Sequence, residues 1–352
     1  MGWLIKPGRG HQADYVLMIA VGVLMSIALV MMYSISPVLS YKLLGSTSRN
    51  FYFYGQLFST SVALIVGIIA SKIYFPNWKK WSLPLLAVTI VALAIVMLPG
   101  LGFTKNGATR WIRLGPASFQ PAELLKLTAI IYLAAWFESR REKMQNWREV
   151  LVPFSLMFAA AAFVIVVVQR DMGTMMVLAA SMLGLYFVAG APIKQYGALL
   201  AGTLAAGVVA IAAFPHRMER LLVFLDPSKD PTNTGYHISQ ALIAIGSGGV
   251  LGRGIGHSYQ IYGYLPEAAN DSIFAVIGEE FGLLGATVVI GLFVLIVQRG
   301  LLIAKNAPDT FSRLLALGIT LWLGFQAIIN IAAMLSLVPL TGIPLPFISY
   351  GG

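Results

Sequence analysis

The stretch "LPEAANDSIFAVIGEEFGLLGATVVIGLFVLIVQ", residues 265–298, decides the fold. From Ser272 onward it is one apolar run, long enough as a helix rising about 1.5 Å per residue to cross a hydrocarbon core about 30 Å thick. Yet Glu267, Asp271, Glu279 and Glu280 all stand within it or at its mouth. A charged side chain at the centre of a spanning helix costs about 2.5 to 3.5 kcal/mol on insertion scales, so these acids need partners or a task.

The rest of the 352-residue chain is of the same kind: 58 % hydrophobic and only 11 % charged, with a formal net charge of +10. About a quarter charged residues is usual for a water-soluble globule, so the composition is that of an integral membrane protein. Apolar runs fall near 15–35, 51–73, 82–98, 121–137, 151–168, 174–189, 197–214, 272–298 and 311–338. The expected architecture is therefore all-α and polytopic, with about nine transmembrane helices in a single integral membrane domain over 1–352. The first run is too long for a signal-peptide core and is read as a retained anchor.

Thirteen Lys and Arg fall on the inner side if the N-terminus is cytoplasmic, among them Lys6, Arg9 and Arg140, against six in the shorter outer loops. That bias sets the expected orientation. The outer loop 215–271, between the seventh and eighth runs, is long for a connection without structure of its own. Within it "GYHISQALIAIGSGG" has a helix-like apolar pattern, expected to lie in the membrane interface.

The chain has no cysteine, which removes disulfides, cysteine-ligated clusters and thiol nucleophiles. His11, His216, His237 and His257 lack the spacing of a structural zinc site. Neither zinc, haem nor a nucleotide is expected. Chemistry falls to carboxylates, bases and hydroxyls.

Two readings of Asp271 stand. "NDS" before an apolar helix is an N-cap signature, and a carboxylate at that mouth is also placed to take a proton from a hydroxyl. Glu279 and Glu280 lie about 12 to 13.5 Å deeper along the helix, as a buried structural ion pair or a cavity group, with Lys126 as a candidate partner. In "FQPAELLKL", Pro121 starts a helix on which Glu123 and Lys126, three residues apart, share a face; Glu123 alone could also be a cap. "IAIGSGGVLGRGIGHSYQ" has the glycines of a backbone anion nest, or of an interfacial turn. It lacks the flanking signals of a nucleotide loop. Arg110, Arg113, Arg217 and Arg220, on the outer side, suit a phosphate or pyrophosphate, or anchor by snorkelling.

Taken in order, "NGATRWIRLGPASFQPAELLKL", "QRDMGT", "RLLVFLDP", "GYHISQALIAIGSGGVLGRGIGHSYQ", "LPEAANDSIFAVIGEE" and "LVPLTGIPLPFISYGG" resemble the SEDS family (shape, elongation, division and sporulation) of bacterial cell-wall synthesis. The resemblance implies a ten-helix fold in the cytoplasmic membrane, of which the tenth helix is expected to be missing after residue 352. It implies a glycosyltransferase that polymerises lipid II, the undecaprenyl-pyrophosphate-linked disaccharide-pentapeptide, beside a class B penicillin-binding protein transpeptidase. No nucleic acid is implied.

On this resemblance the catalytic aspartate falls on Asp271, and an acidic-and-basic cavity pair on Glu123 and Lys126. Arg110, Arg217, Arg220, Gln260 and Glu267 join the substrate contacts; Asp171, Glu279 and Glu280 are structural or cavity groups. Mg2+ or Mn2+ is plausible beside a pyrophosphate, but no spacing fixes a metal site. Ala269 and Asn270 stand where members often have His-Thr or His-Ser, and Arg170 where proline is usual. "LPEA" and "VIGEE" look more like division than elongation members. A lipid II flippase or a non-enzymatic scaffold are the alternative functions.

Overall fold

A computed structural model describes residues 13–45, 49–98, 102–105, 108–114 and 117–350. The basic N-terminal lead with Lys6, Arg9 and His11 lies outside the described residues, as do the last two glycines of "SYGG" and the side chain of Arg113.

Each of the nine apolar runs coincides with a helix: α1 (Tyr15–Leu44), α2 (Phe51–Lys72), α3 (Pro76–Val96), α4 (Pro121–Ser139), α5 (Leu151–Ala162, continued by a wide π turn to Val168), α6 (Met172–Val188), α7 (Ile193–Ala212), α10 (Ile273–Lys305) and α11 (Thr310–Met334). The long loop 215–271 supplies α8 (Pro215–Leu225) and α9 (Thr234–Ser247). Seven of the helices, α1, α2, α3, α5 with its π turn, α7, α10 and α11, are long and apolar enough to span a bilayer. The seventeen residues of α6 are fewer, and α4 carries Glu123, Lys126 and Glu138. This is a multi-pass membrane protein.

Local chemistry sets the helix ends. Proline begins α3, α4 and α8, where its fixed φ and missing N–H are harmless. Asp14 caps α1 by accepting from Leu17 N at 3.0 Å, and Asp171 caps α6 by accepting from Thr174 N at 3.0 Å.

The sequence reading placed no strand, but residues 102–119 form a small antiparallel sheet. Strand β1 (Gly102–Lys105) pairs with β2 (Ala108–Leu114), which pairs with β3 (Ala117–Phe119), with Gly102 opposite Ile112 and Ile112 opposite Phe119. Thr109, Trp111 and Ile112 are residues that favour a pleated surface. Their run is too short to stand out beside twenty-residue apolar segments.

Contacts divide the chain into two compact units. One comprises, among the described residues, Ile73–Ala210 and Gly300–Phe325; its core is Ile130, Leu133, Phe137, Phe154, Leu178, Tyr186 and Phe311, with Phe154 stacked on Tyr186 at 4.8 Å between centroids. The other comprises the described residues up to Lys72, Ile211–Arg299 and Gln326 onward, around Met31, Met32, Ile35, Ile238, Ala244 and Ile273–Ile277.

Candidate active site

Asp271 lies immediately before the first turn of α10. Ser272, one residue on, occupies the cap position itself, since its carbonyl accepts from Val276 N and Ala275 N. Asp271 is 9 % exposed and lines a cavity of about 340 Å³ together with Arg220, Thr232, Asn233, Thr234, Tyr236, His237, Pro266, Leu340 and Gly342.

The backbone around Asp271 is held from the C-terminal segment. Asn330 Nδ2 donates to the Asp271 carbonyl at 2.8 Å and to Ile343 O at 2.7 Å. Ser349 Oγ donates to Asn270 O at 2.7 Å, and Tyr350 N to Ala269 O at 2.8 Å. The "PLPFISYGG" motif thus has a physical role: its Ser349 and Tyr350 fix the segment carrying the carboxylate. Gly342, with φ at +69°, sits where an added Cβ would stand 3.8 Å from Asp271 Oδ2.

Glu267 is exposed; its side chain accepts from Asn270 Nδ2 and its carbonyl from Asn270 N and Ser272 N. Its charge reaches His237. Burial pushes the His237 imidazole down to about 4, against the pull of Glu267 and with the repulsion of Arg220 adding to it. The ring is therefore neutral at physiological pH. Arg220 is exposed and lines the cavity; Arg217 is buried, with its guanidinium 4.2 Å above the Phe214 ring, and is not among the cavity-lining groups.

The glycine-rich stretch is neither a phosphate nest nor a loose turn. Gly282 breaks α10 with φ +65° and ψ −160°, freeing backbone groups that a continuous helix would pair internally. The loop replaces those partners: Arg253 N and Gly254 N donate to Glu279 O and Glu280 O, while Leu283 N and Leu284 N donate to Gly249 O and Val250 O. A Cβ on Gly252 or Gly282 would overlap the opposing backbone, so the junction closes only between glycines.

The same loop satisfies the two buried carboxylates. Glu279 accepts from Tyr259 N at 2.9 Å, Gln260 N at 3.3 Å and the Ser258 hydroxyl; Glu280 accepts from Gly256 N at 3.1 Å and from Ser34 Oγ. Both are 1 % exposed. Lys126 is the candidate partner from sequence; within their own unit the carboxylates are held by loop amides and hydroxyls, with Arg253 3.9 Å from Glu279. Loop amides serve these carboxylates because short backbone donors fit where a long basic side chain would have to be desolvated. Gln260 contributes its backbone N–H to this arrangement and is buried beside it.

In the other unit, Lys126 is fully buried and pairs with Glu123 at 2.8 Å, its ammonium 5.4 Å above the Trp322 ring. Asp171 accepts from Thr174 Oγ1 at 3.0 Å and Gln120 Nε2 at 3.2 Å, and Arg110 Nη1 lies 3.5 Å away. Arg110 also donates to Gln169 O and Arg170 O, so much of its guanidinium is engaged within the chain. Arg170 has φ +56°, a conformation closed to proline, which explains why arginine rather than proline is compatible with this bend.

Sequence reasoning missed His237, Ser272 and Asn330 as site residues. His237 was visible as a polar residue on the apolar pattern of "GYHISQ". Asn330, buried within α11, carried no local signal at all.

Fold and site together define a polytopic membrane protein with a carboxylate-bearing cavity built from α9 and the loop before it, the mouth of α10 and a C-terminal segment. Residues 15–352 match the FtsW/RodA/SpoVE family model, described as "Cell cycle protein", and the chain belongs to that family. It is 36 % identical over 340 residues to stage V sporulation protein E of Bacillus subtilis (strain 168), covering 96 % of this chain and 92 % of that one. To a probable peptidoglycan glycosyltransferase FtsW of Geobacter sp. (strain M18) it is 38 % identical over 340 residues, covering 96 % and 91 %. A solved chain from a peptidoglycan synthase complex, described as coordinating polymerization and crosslinking, superposes with a TM-score of 0.76 at 26 % identity, covering 97 % and 93 %. The lean toward division members agrees with the FtsW relative.

Proposed function

We propose that this protein is an inverting peptidoglycan glycosyltransferase that polymerises lipid II on the outer face of the bacterial cytoplasmic membrane, with its N-terminus cytoplasmic and a class B penicillin-binding protein as partner. The observation that carries this reading is Asp271, a nearly buried carboxylate lining a cavity with Arg220 and a neutral His237.

Transfer from a lipid pyrophosphate begins with a good leaving group, so the demanding tasks are deprotonation and alignment. Asp271 takes the proton from the 4-hydroxyl of one disaccharide's terminal GlcNAc as that oxygen attacks C1 of another's MurNAc. The C1–O bond to undecaprenyl pyrophosphate breaks on the opposite face, inverting the anomeric carbon. Arg220 stabilises charge developing at the cavity. Arg217, Gln260 and Glu267 support the structure around the cavity, and in the other unit Arg110 braces the Asp171 turn while Glu123 with Lys126 forms a polar site for the lipid-linked substrate. Among the described residues no group of three His, Asp or Glu is placed to hold a metal ion. Mg2+ or Mn2+ is therefore proposed to arrive on the pyrophosphate, whose oxygens are hard ligands.

The Glu123–Lys126 pair, its lysine buried and its glutamate half-buried, is also what a lipid II flippase would use. Purified protein with its transpeptidase partner, given lipid II in proteoliposomes, separates the two. Glycan polymer without translocation supports the polymerase; translocation without polymer overturns it.

A further inference from the structure

The cavity holds a second hydrogen-bond acceptor. His237, on α9, lines it together with Asp271. Its Nε2 lies 2.6 Å from Ser272 Oγ, and that hydroxyl donates to Pro266 O at 2.9 Å. A serine hydroxyl carries one proton and a carbonyl can only accept, so that proton is committed to Pro266. The contact with His237 is then a hydrogen bond donated by Nε2–H into Oγ. This fixes the tautomer of the neutral ring: Nδ1 presents a lone pair, and among the described residues it has no hydrogen-bond partner.

We infer that His237 is a substrate-positioning residue whose Nδ1 accepts a hydrogen bond from a hydroxyl or N-acetyl N–H of the acceptor amino sugar, orienting the attacking hydroxyl toward Asp271. This rests on the polymerase reading. Ser272 and Pro266 supply the rigid side of the arrangement, holding the ring by its far nitrogen. Thr232, Asn233 and Thr234, lining the same cavity, add polar groups suited to a sugar rather than a lipid chain. The charged groups acting on the ring are Glu267 and Arg220, of opposite sign, and burial keeps the ring neutral between them.

The test is glycan synthesis from lipid II by the full chain with its transpeptidase, comparing wild type, His237→Phe and His237→Gln. Phenylalanine keeps the ring volume and removes both nitrogens; glutamine keeps a donor for Ser272 and an acceptor oxygen beside it. The inference expects His237→Phe to lose about tenfold in kcat/KM, carried mainly by a higher KM for lipid II, with an unchanged melting temperature and most of the loss restored by His237→Gln. An unchanged KM in the phenylalanine variant, or a loss that follows thermal destabilisation and is not restored by glutamine, would overturn it while leaving the polymerase reading intact. Absence of glycan from wild type would overturn both.

Discussion

Replacing Glu279 by glutamine tests whether the break in α10 is held shut by the buried carboxylates. Glu279 is 1 % exposed and accepts from Tyr259 N, Gln260 N and the Ser258 hydroxyl. Every one of those partners is a donor, and glutamine presents an NH2 group in place of one oxygen. If the NH2 takes the Oε1 place, the Tyr259 amide loses its acceptor; if it takes the Oε2 place, the Gln260 amide does. A hydrogen bond to a charged group contributes about 1.5 to 3 kcal/mol, and the bonds that remain fall to neutral strength. The net loss is about 3 kcal/mol, local to the junction, which corresponds to roughly a hundredfold more frequent opening. Hydrogen exchange of detergent-solubilised Glu279→Gln should show peptides covering 248–262 losing protection by about two orders of magnitude, while α4 and α6 keep theirs. Unchanged protection in this segment of a folded variant would refute the reasoning, because the loop would then be anchored by something other than the carboxylate.

Other consequences follow from the same geometry. Gly342→Ala forces a methyl-bearing residue into φ +69° and sets that methyl 3.8 Å from Asp271 Oδ2, so polymerisation should fall about tenfold with the fold retained, read by glycan yield against melting temperature. The unfolded chain protonates histidine near pH 6.5 but folded His237 only near 4, so the unfolded state binds more protons between those values and stability falls as pH drops from 6.5 to 4, by at most about 3 kcal/mol. Thermal melting across that window should show the decline in wild type and a smaller one in His237→Gln. Glu123→Gln, which leaves Lys126 buried beside a neutral amide, should destabilise by about 2 kcal/mol, less than a fully buried pair would because Glu123 is 33 % exposed. Adding Lys126→Met should restore much of that stability; additive losses in denaturation would mean that the two side chains are not coupled.

The membrane architecture was legible because hydrocarbon thickness sets a minimum length for an apolar helix, and all nine runs exceed or approach it. Pro121 marked the start of α4 for an equally local reason, the fit of proline to a first turn. What stayed hidden depends on partners distant in sequence. The glycine-rich stretch has the composition of an anion nest, and composition alone does not say that its anions are the chain's own Glu279 and Glu280. The kink that makes this possible rests on Gly282, one glycine among 35. Likewise His237 and Ser272 are 35 positions apart, and nothing near either residue announces the other. Asp271 was legible through its place in an ordered set of motifs. Its local pattern, read as a cap, was displaced by one residue to Ser272.

The central claim, that Asp271 is the general base, is tested most directly by the rate of glycan polymerisation from lipid II with the partner transpeptidase, comparing wild type with the nearly isosteric Asp271→Asn. The account predicts a fall in kcat of about 10² to 10⁴ with KM little changed and the same melting temperature. Equal turnover in the two proteins would contradict it.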